Sequence, residues 1–361
     1  MSIHVLLTGA GGFVGSHVLR HLLVNTDWTI TAPVTGTHRG QHPRLDLAFA
    51  ADDRDEEHAR RARVDVVYHD LQWPFSPQEM LRLGQVDVIF NVASQSHVDR
   101  SIEDPVAFTL NNTRLMLNML ELARELKPKL FLQMSTDEVY GPADAAYRHH
   151  EGEPHRPSNP YSASKSAQES LAFAWWRTYG VPVVITNTMN IFGETQDPEK
   201  FFALAMRALA RGEHVPVHGR HRWINSQLNE GEWIPGSRFY LHARNLADAW
   251  LWLTNRYLEG GGSTGLTLPR YAAGARDLAR FNIVGEDEIP NDTLVLMIAR
   301  AMGVLEPKYE FVDFHSSRPG HDLRYALDGT QLAALGWKAP VSLGEGIERT
   351  VAWTLKRPEW L

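Results

Sequence analysis

The chain has 361 residues, 43% of them apolar, which suits one large domain or two unequal ones around a sizeable core. A formal net charge of -7 argues against general nucleic-acid binding, although local amides and a few arginines can still hold a phosphorylated ligand. The absence of cysteine excludes disulfides and thiolate metal sites and fits a reducing, cytoplasmic setting, and no stretch is apolar enough for a bilayer span, so no membrane partner is expected.

The N-terminal run MSIHVLLTGAGGFVGSHVL lacks a basic start and is broken by glycines, so it reads as strand, turn and helix rather than as a signal peptide. Ile3–Thr8 is a buried strand by its apolar run, and Phe13–Leu23 has helical spacing. Trp28–Val34, Val64–His69, Val86–Asn91, Leu130–Ser135 and Val183–Asn187 read as further strands, with helices over Pro105–Glu125 and Asn159–Thr178. The doubly charged segment Asp52–Arg63 reads as a solvated loop or a short surface helix. This alternation predicts an α/β fold: a Rossmann-type, doubly wound parallel sheet over 1–188, with ligands beyond the carboxyl ends of its strands. The second half, 189–361, is less regular, with helical patterns near Glu199–Ala210, Ala243–Leu258, Asn291–Met302 and Gly344–Thr354. It is expected to form a smaller, mixed α/β lobe, mainly substrate-binding, with segments free to return to the first domain.

The first strand runs into Thr8-Gly9-Ala10-Gly11-Gly12-Phe13-Val14-Gly15. Glycine is required where the turn is tight, where amides approach a pyrophosphate and where the helix packs on the strand. Strand before and helix after supply the context that a three-glycine pattern lacks by itself. Gly9, Gly12, Phe13, Val14 and Gly15 are therefore the expected dinucleotide cradle, with Ala93 past the fourth strand and Asp70 and Leu71 past the third, where the adenine would sit. The second strand ends in TAPVTGTHR, with no acid to hold the adenosine ribose; His38 and Arg39 could neutralise a 2′-phosphate, so NAD and NADP both stay open.

Tyr161 and Lys165 lie at i, i+4 near a helix start, on one face. An ammonium beside a phenol favours the phenolate and brings its acidity toward neutrality, giving a base for a sugar hydroxyl. The fifth strand ends in STDEVYG, where two adjacent carboxylates, Asp137 and Glu138, repel each other and do not pack, a poor structural choice. A working acid and base with separated acidities is the functional reading.

These stretches resemble the extended short-chain dehydrogenase/reductases, and most closely the dTDP-glucose 4,6-dehydratases. The resemblance runs over most of the chain, through TGAGGFVGSHV, NVASQSHVDRSIEDP, STDEVYG, YSASK, MNIFGETQDPEK, FNIVGEDE, RPGHDLRYALD and LGWK. Epimerising and decarboxylating relatives usually lack one or both acids of STDEVYG, and the NADP-using GDP-mannose dehydratases are a more distant match. The resemblance implies a nucleotide-sugar 4,6-dehydratase. Tyr161, with Lys165 and Thr136, deprotonates the 4-hydroxyl as C4 is oxidised; Glu138 removes the C5 proton; Asp137 protonates the departing 6-hydroxyl. Tyr161 and Lys165 would also contact the cofactor. The resemblance further places Ser96 near the sugar, Asn190 and Lys200 near sugar or diphosphate, and Arg238 and Arg318 on phosphate oxygens. It also implies a homodimer packed through the 105–125 and 159–178 helices.

The sequence departs from that pattern at His218, where tyrosine is usual, and over 219–237 and about 260–280, which are longer; His218 is kept as a substrate contact while base and sugar are not carried over. His218 and His221 have no third ligand nearby in the sequence, so no metal is expected. Two alternatives stay open: a 4-epimerase or uronate decarboxylase on the same scaffold, and a non-catalytic dinucleotide-binding regulator.

Overall fold

The period-two alternation of β1 (His4–Thr8) sends Val5 and Leu7 into one apolar cluster and Leu6 into another, and all three are fully buried. A strand buried on both sides needs helices on both sides. The computed structural model has that arrangement; it describes residues 2–36, 42–144, 146–224, 227–260, 278–313 and 322–361, without the side chains of 223–231.

In the first half, α1 (Phe13–Asn25), β2 (Thr29–Val34), α2 (His42–Phe49), α3 (Arg54–Ala62), β3 (Val64–Tyr68), α4 (Pro77–Leu83), β4 (Val88–Asn91), α5 (Val98–Glu103), α6 (Pro105–Leu126), β5 (Leu130–Thr136), α7 (Pro160–Tyr179) and β6 (Val183–Thr188) follow β1. The doubly charged segment is α3, N-capped by the Asp53 carboxylate and lined with Glu-to-Arg pairs one turn apart. α7 starts where Asn159 and Ser162 form a capping box around Pro160.

In the second half, β7 (Ile191–Phe192), α8 (Phe201–Arg211), β8 (Val215–Ile224), β9 (Gln227–Pro235), β10 (Ser237–Phe239), β11 (Leu241–His242), α9 (Ala243–Glu259), β12 (Ala279–Ile283), β13 (Glu288–Pro290), α10 (Asn291–Met302), β14 (Tyr309–Asp313), α11 (Thr330–Ala334) and α12 (Leu343–Leu355) follow. The principal sheet has the order β12-β6-β5-β4-β1-β2-β3, all parallel. Its order reverses between β1 and β4, and the crevice at that reversal is where such sheets bind ligands.

Two elements of the second half complete this sheet. β12 pairs with β6 at the edge, so Ala279 and Arg280 begin a strand rather than belong to the insertion expected over about 260–280; residues 261–277 lie outside the described residues. α9 covers one face beside α1, burying Trp250 against Phe90 at 5.0 Å, edge to face, with its indole N–H donated to Thr186 Oγ1 at 3.1 Å. What remains is a smaller unit in which α8, α10 and α12 pack on Val215 and Val217 of the β14-β8-β9 sheet. The long 219–237 segment forms the β8–β9 hairpin, antiparallel with a bulge between His221 and Arg222.

Trp250→Ala removes a fully buried indole that joins the two halves of the chain. It is expected to destabilise the protein by about 3–5 kcal/mol, measured by urea unfolding; a loss under about 1 kcal/mol would mean that α9 does not support the sheet.

Candidate active site

At the first turn, Gly9 has φ +72°, and a Cβ there would lie 3.0 Å from the Ala93 amide nitrogen. A Cβ on Gly15 would lie 2.0 Å from the Gly9 carbonyl oxygen, so only glycine fits. Gly12 N-caps α1 with no side chain on the free amides of its first turn, and no acid stands in that turn. The Phe13, Val14 and Gly15 amides and the helix dipole are thus left for an anion. Ala93 is fixed beside this loop because its N–H donates to Thr8 Oγ1 at 3.0 Å, and Thr8 in turn donates to Asn91 at 2.8 Å. These residues fit the pyrophosphate of a dinucleotide. Asp70 is exposed and accepts from the Gln72 amide at 3.0 Å, while Leu71 is buried. His38 and Arg39 lie outside the described residues.

β5 delivers the acids. Its last residue, Thr136, caps a single 3-10 turn, Asp137–Tyr140, and donates its hydroxyl to Asp137 Oδ1 at 2.9 Å. Asp137 is 5% exposed, and its Oδ2 is buried without a hydrogen-bond partner among the described residues. Burial first, and the Glu138 charge second, push the Asp137 carboxyl up to about 7. Glu138 accepts from Asn159 Nδ2 at 3.1 Å. Burial shifts the Glu138 carboxyl above its ordinary range, and the Asn159 hydrogen bond with the Arg238 and Lys200 charges offsets this only in part. The two acids therefore differ in surroundings: one sealed and awkward to ionise, the other steadied by donors and facing a cleft.

Tyr161 belongs to the same cluster. Its ring meets Phe108 edge to face at 6.2 Å, and its backbone N–H donates to Ser101 Oγ at 3.1 Å. Burial first, and the Glu138 and Asp137 charges with it, make its phenol harder to ionise than usual, against a hydrogen bond with Thr136. The expected lowering by Lys165 is not present in this structure. The Lys165 ammonium instead donates to the Met134 carbonyl at 2.8 Å and to Gln168 Oε1 at 2.6 Å, and it is not among the charges acting on the phenol. The physical reason is burial: a desolvated ammonium takes the nearest carbonyl acceptors, and β5 and α7 supply them. Burial lowers Lys165 to about 8, with Glu169 acting in the opposite sense.

Glu138 opens onto a cleft, with Asn190, Lys200, His218 and Arg238 also on its walls. Ser96 is exposed on the loop after β4 and is not on that wall; its carbonyl accepts from Lys200 Nζ at 3.2 Å. Arg238 is not poised as a bidentate phosphate clamp. Its Nη1 donates to the Ser237 and Leu323 carbonyls and its Nη2 to the Asp322 carbonyl, each at 2.7 Å, and its guanidinium stacks 4.6 Å from the Tyr325 ring centroid. Its positive field nevertheless reaches both acids. Arg318 lies outside the described residues. Sequence reading missed Tyr240, Asn291, Asp322 and Tyr325 on the same wall. Asp322 and Tyr325 stand inside the matched stretch RPGHDLRYALD, so that signal existed; Tyr240 and Asn291, joined by a 2.8 Å hydrogen bond, had none.

A glycine cradle at the sheet's reversal point and a tyrosine clustered with two carboxylates at the end of β5 define a dinucleotide-dependent enzyme of carbohydrate type. The family model for the NAD dependent epimerase/dehydratase family matches residues 5–264, and the chain belongs to that family. Its relatives include a probable dTDP-glucose 4,6-dehydratase from Sinorhizobium fredii, 32% identical over 99% of this chain and 94% of that protein. The dTDP-glucose 4,6-dehydratase of Shigella flexneri is 31% identical over the same shares. Among solved structures, DesIV, a dTDP-glucose 4,6-dehydratase from Streptomyces venezuelae with NAD bound, is 28% identical, covers 99% of this chain and 98% of its own, and superposes with a TM-score of 0.78.

The Asp137 surroundings make stability depend on pH. Its carboxyl has an ordinary value of 3.8 and about 7 in the fold, so the neutral form favours folding. That contribution is full below about pH 4 and is lost as pH rises through about 7. Asp137→Asn, which cannot ionise, should gain stability over the parent across this window, by about 2–4 kcal/mol at its upper end. Urea unfolding at a series of pH values measures it, and a difference that does not vary with pH would contradict the neutral, buried acid.

Proposed function

We propose that the chain is a nucleotide-sugar 4,6-dehydratase, an NAD-dependent hydro-lyase that works in the cytoplasm and converts a nucleoside-diphosphate hexose to its 4-keto-6-deoxy form. The observation that carries this reading is the pairing of two unlike carboxylates, Asp137 and Glu138, with the Tyr161 phenol at the end of β5. A tyrosine without the pair would serve oxidation at C4, as epimerisation needs. Elimination needs in addition a base at C5 and an acid at O6.

NAD, held on the Gly9–Gly15 turn, supplies the chemistry this chain lacks: a hydride acceptor for C4 and a donor for C6. Tyr161 takes the proton of the 4-hydroxyl. Buried beside two acids, its phenol needs a cation to ionise, and the assigned cation, Lys165 one turn along the same helix, would have to turn toward it from the Met134 carbonyl and Gln168. The ketone that results acidifies the C5 proton, and Glu138, open to the cleft and steadied by Asn159, takes it. Asp137, kept neutral near pH 7 by burial, gives its proton to the 6-hydroxyl, which departs as water. As hydride reaches C6, Glu138 returns a proton to C5, and the proton that Tyr161 took is released to replace the one Asp137 gave; the sugar has then lost one water, with a ketone at C4 and a methyl group at C6. We assign the dinucleotide to residues 1–188 and the sugar nucleotide mainly to 189–361, with α9 and β12 returning to the sheet. Asn190, Lys200 and His218 are the assigned substrate contacts on the cleft wall, with Ser96 and Arg318 retained from the sequence pattern.

Glu138→Gln should leave substrate binding nearly intact while lowering formation of the 4-keto-6-deoxy sugar by about 10²–10⁴-fold. Solvent deuterium incorporation at C5 should fall with it. The product is read by its absorbance in alkali and by mass, across dTDP-, UDP-, GDP- and CDP-hexoses. Full activity in the variant would remove Glu138 as the base, and a wild-type enzyme that returns only a 4-epimer would remove the dehydratase reading.

A homodimer is part of the proposal. Val106 and Leu110 on α6 and Phe173 on α7 are 67%, 55% and 43% exposed, an apolar surface on the two long helices. Light scattering after gel filtration should give twice the chain mass, and Leu110→Arg with Phe173→Arg should give the monomer. An unchanged dimer in the double variant would place the contact elsewhere.

A further inference from the structure

Behind the catalytic turn lies a second buried cluster that the reaction above does not use. Glu169 stands one helical turn beyond Lys165 on α7 and is 1% exposed. Its Oε1 accepts from the Ser135 hydroxyl and from Asn187 Nδ2, the latter at 2.8 Å. The same Asn187 amide donates to the Thr136 carbonyl at 3.1 Å. One carboxylate oxygen thus reaches both residues that precede the acid pair. Its Oε2 faces Arg280 Nη2 at 2.8 Å and His155 Nε2 at 3.3 Å. Arg280 Nη1 also lies 2.9 Å from His155 Nε2, and His155 Nδ1 lies 2.8 Å from Ser166 Oγ. The cluster is drawn from β5, β6, α7, β12 and the loop before α7.

A buried ion pair is a weak source of stability, because desolvating two charges costs about what their attraction returns. This pair has a more specific position. Burial would make the Glu169 carboxyl hard to ionise, but Arg280, with His155 and Ser135, holds it down to about 2. It is a permanent negative charge, and it is the charge that acts on Lys165, whose own hydrogen-bond acceptors are the neutral Met134 carbonyl and Gln168. The other charged or titratable groups around it are Tyr161 on the same helix, Asp137 and Glu138 on the turn after β5, and Tyr140 and Glu151, which act on Arg280.

We propose that Glu169 is a positioning residue for the Tyr161–Lys165 pair: it clamps the end of β5 through Ser135 and Asn187 and supplies the charge that keeps Lys165 an ammonium. The inference rests on the reading of Tyr161 and Lys165 as the proton-transfer pair. It ties that pair to Arg280, a residue of the second half of the chain.

The test is a titration of the full-length protein carrying 13C at lysine Cε, with the Lys165 resonance assigned by its loss in Lys165→Arg. The wild-type midpoint should lie near 8, Glu169→Gln should lower it by about one unit or more, and Glu169→Asp should restore it to within about half a unit. In turnover, the fall of kcat at alkaline pH should move to lower pH in Glu169→Gln by the same amount, with KM changed less than about threefold. Should Glu169→Gln fail to fold, Glu169→Asp carries the test: the shorter carboxylate keeps the lysine midpoint but loses Ser135 and Asn187, so kcat falls by about tenfold. A Lys165 midpoint unmoved in Glu169→Gln, or wild-type kcat in Glu169→Asp, overturns the proposal. The titration needs no turnover, so its failure is distinct from failure of the dehydratase reading, which a wild-type protein yielding no 4-keto-6-deoxy sugar would show.

Discussion

Two carboxylates cannot sit side by side in a protein interior without help, because burial and mutual repulsion both disfavour their ionised forms. The structure accommodates Asp137 and Glu138 by treating them differently. Asp137 is enclosed at the end of β5, bonded by the Thr136 hydroxyl, and keeps its proton to about neutral pH. Glu138 turns outward, takes a hydrogen bond from Asn159 and feels Arg238 and Lys200 across the cleft. Neighbouring residues of like chemistry thus stand in unlike surroundings, although burial raises both carboxyls above their ordinary range.

That architecture needs both halves of the chain. The parallel sheet positions the glycine turn and the end of β5 on the same edge, since all its strands point one way. The walls opposite Glu138 come from the second half: Lys200 stands just before α8, His218 is on β8, and Arg238 on β10 is locked to the carbonyls of 322 and 323. Arg238 so held is a fixed positive field rather than a mobile anion clamp. β12 and α9 return to the sheet, and Trp250 and Arg280 are the side chains by which those returns are fastened.

Much of the core and the catalytic turn was legible in the sequence because both are local. Strand alternation at Val5-Leu6-Leu7, the glycine spacing and the Asn159–Pro160 helix start depend on neighbours within a few residues, so pattern and outcome agree. The partners of Lys165 were not legible. The i, i+4 spacing puts Lys165 beside Tyr161 on the helix, but the Met134 carbonyl of another element competes for the ammonium. The same holds for Arg238, whose motif suggested a phosphate ligand and two of whose three carbonyl partners lie more than eighty residues along the chain. Residues 279–280 were read with an insertion because the pairing of β12 with β6 joins positions about a hundred residues apart.

The sequence by itself determined the fold class, the dinucleotide turn and the presence of a tyrosine, a lysine and two acids near one strand end, because short-range spacing and backbone sterics suffice for these. Tertiary structure alone decided what each group can do. Which carboxyl is sealed, which faces the cleft, where the lysine points and which buried charge acts on it depend on desolvation and on contacts between distant segments, and neither is written in local order.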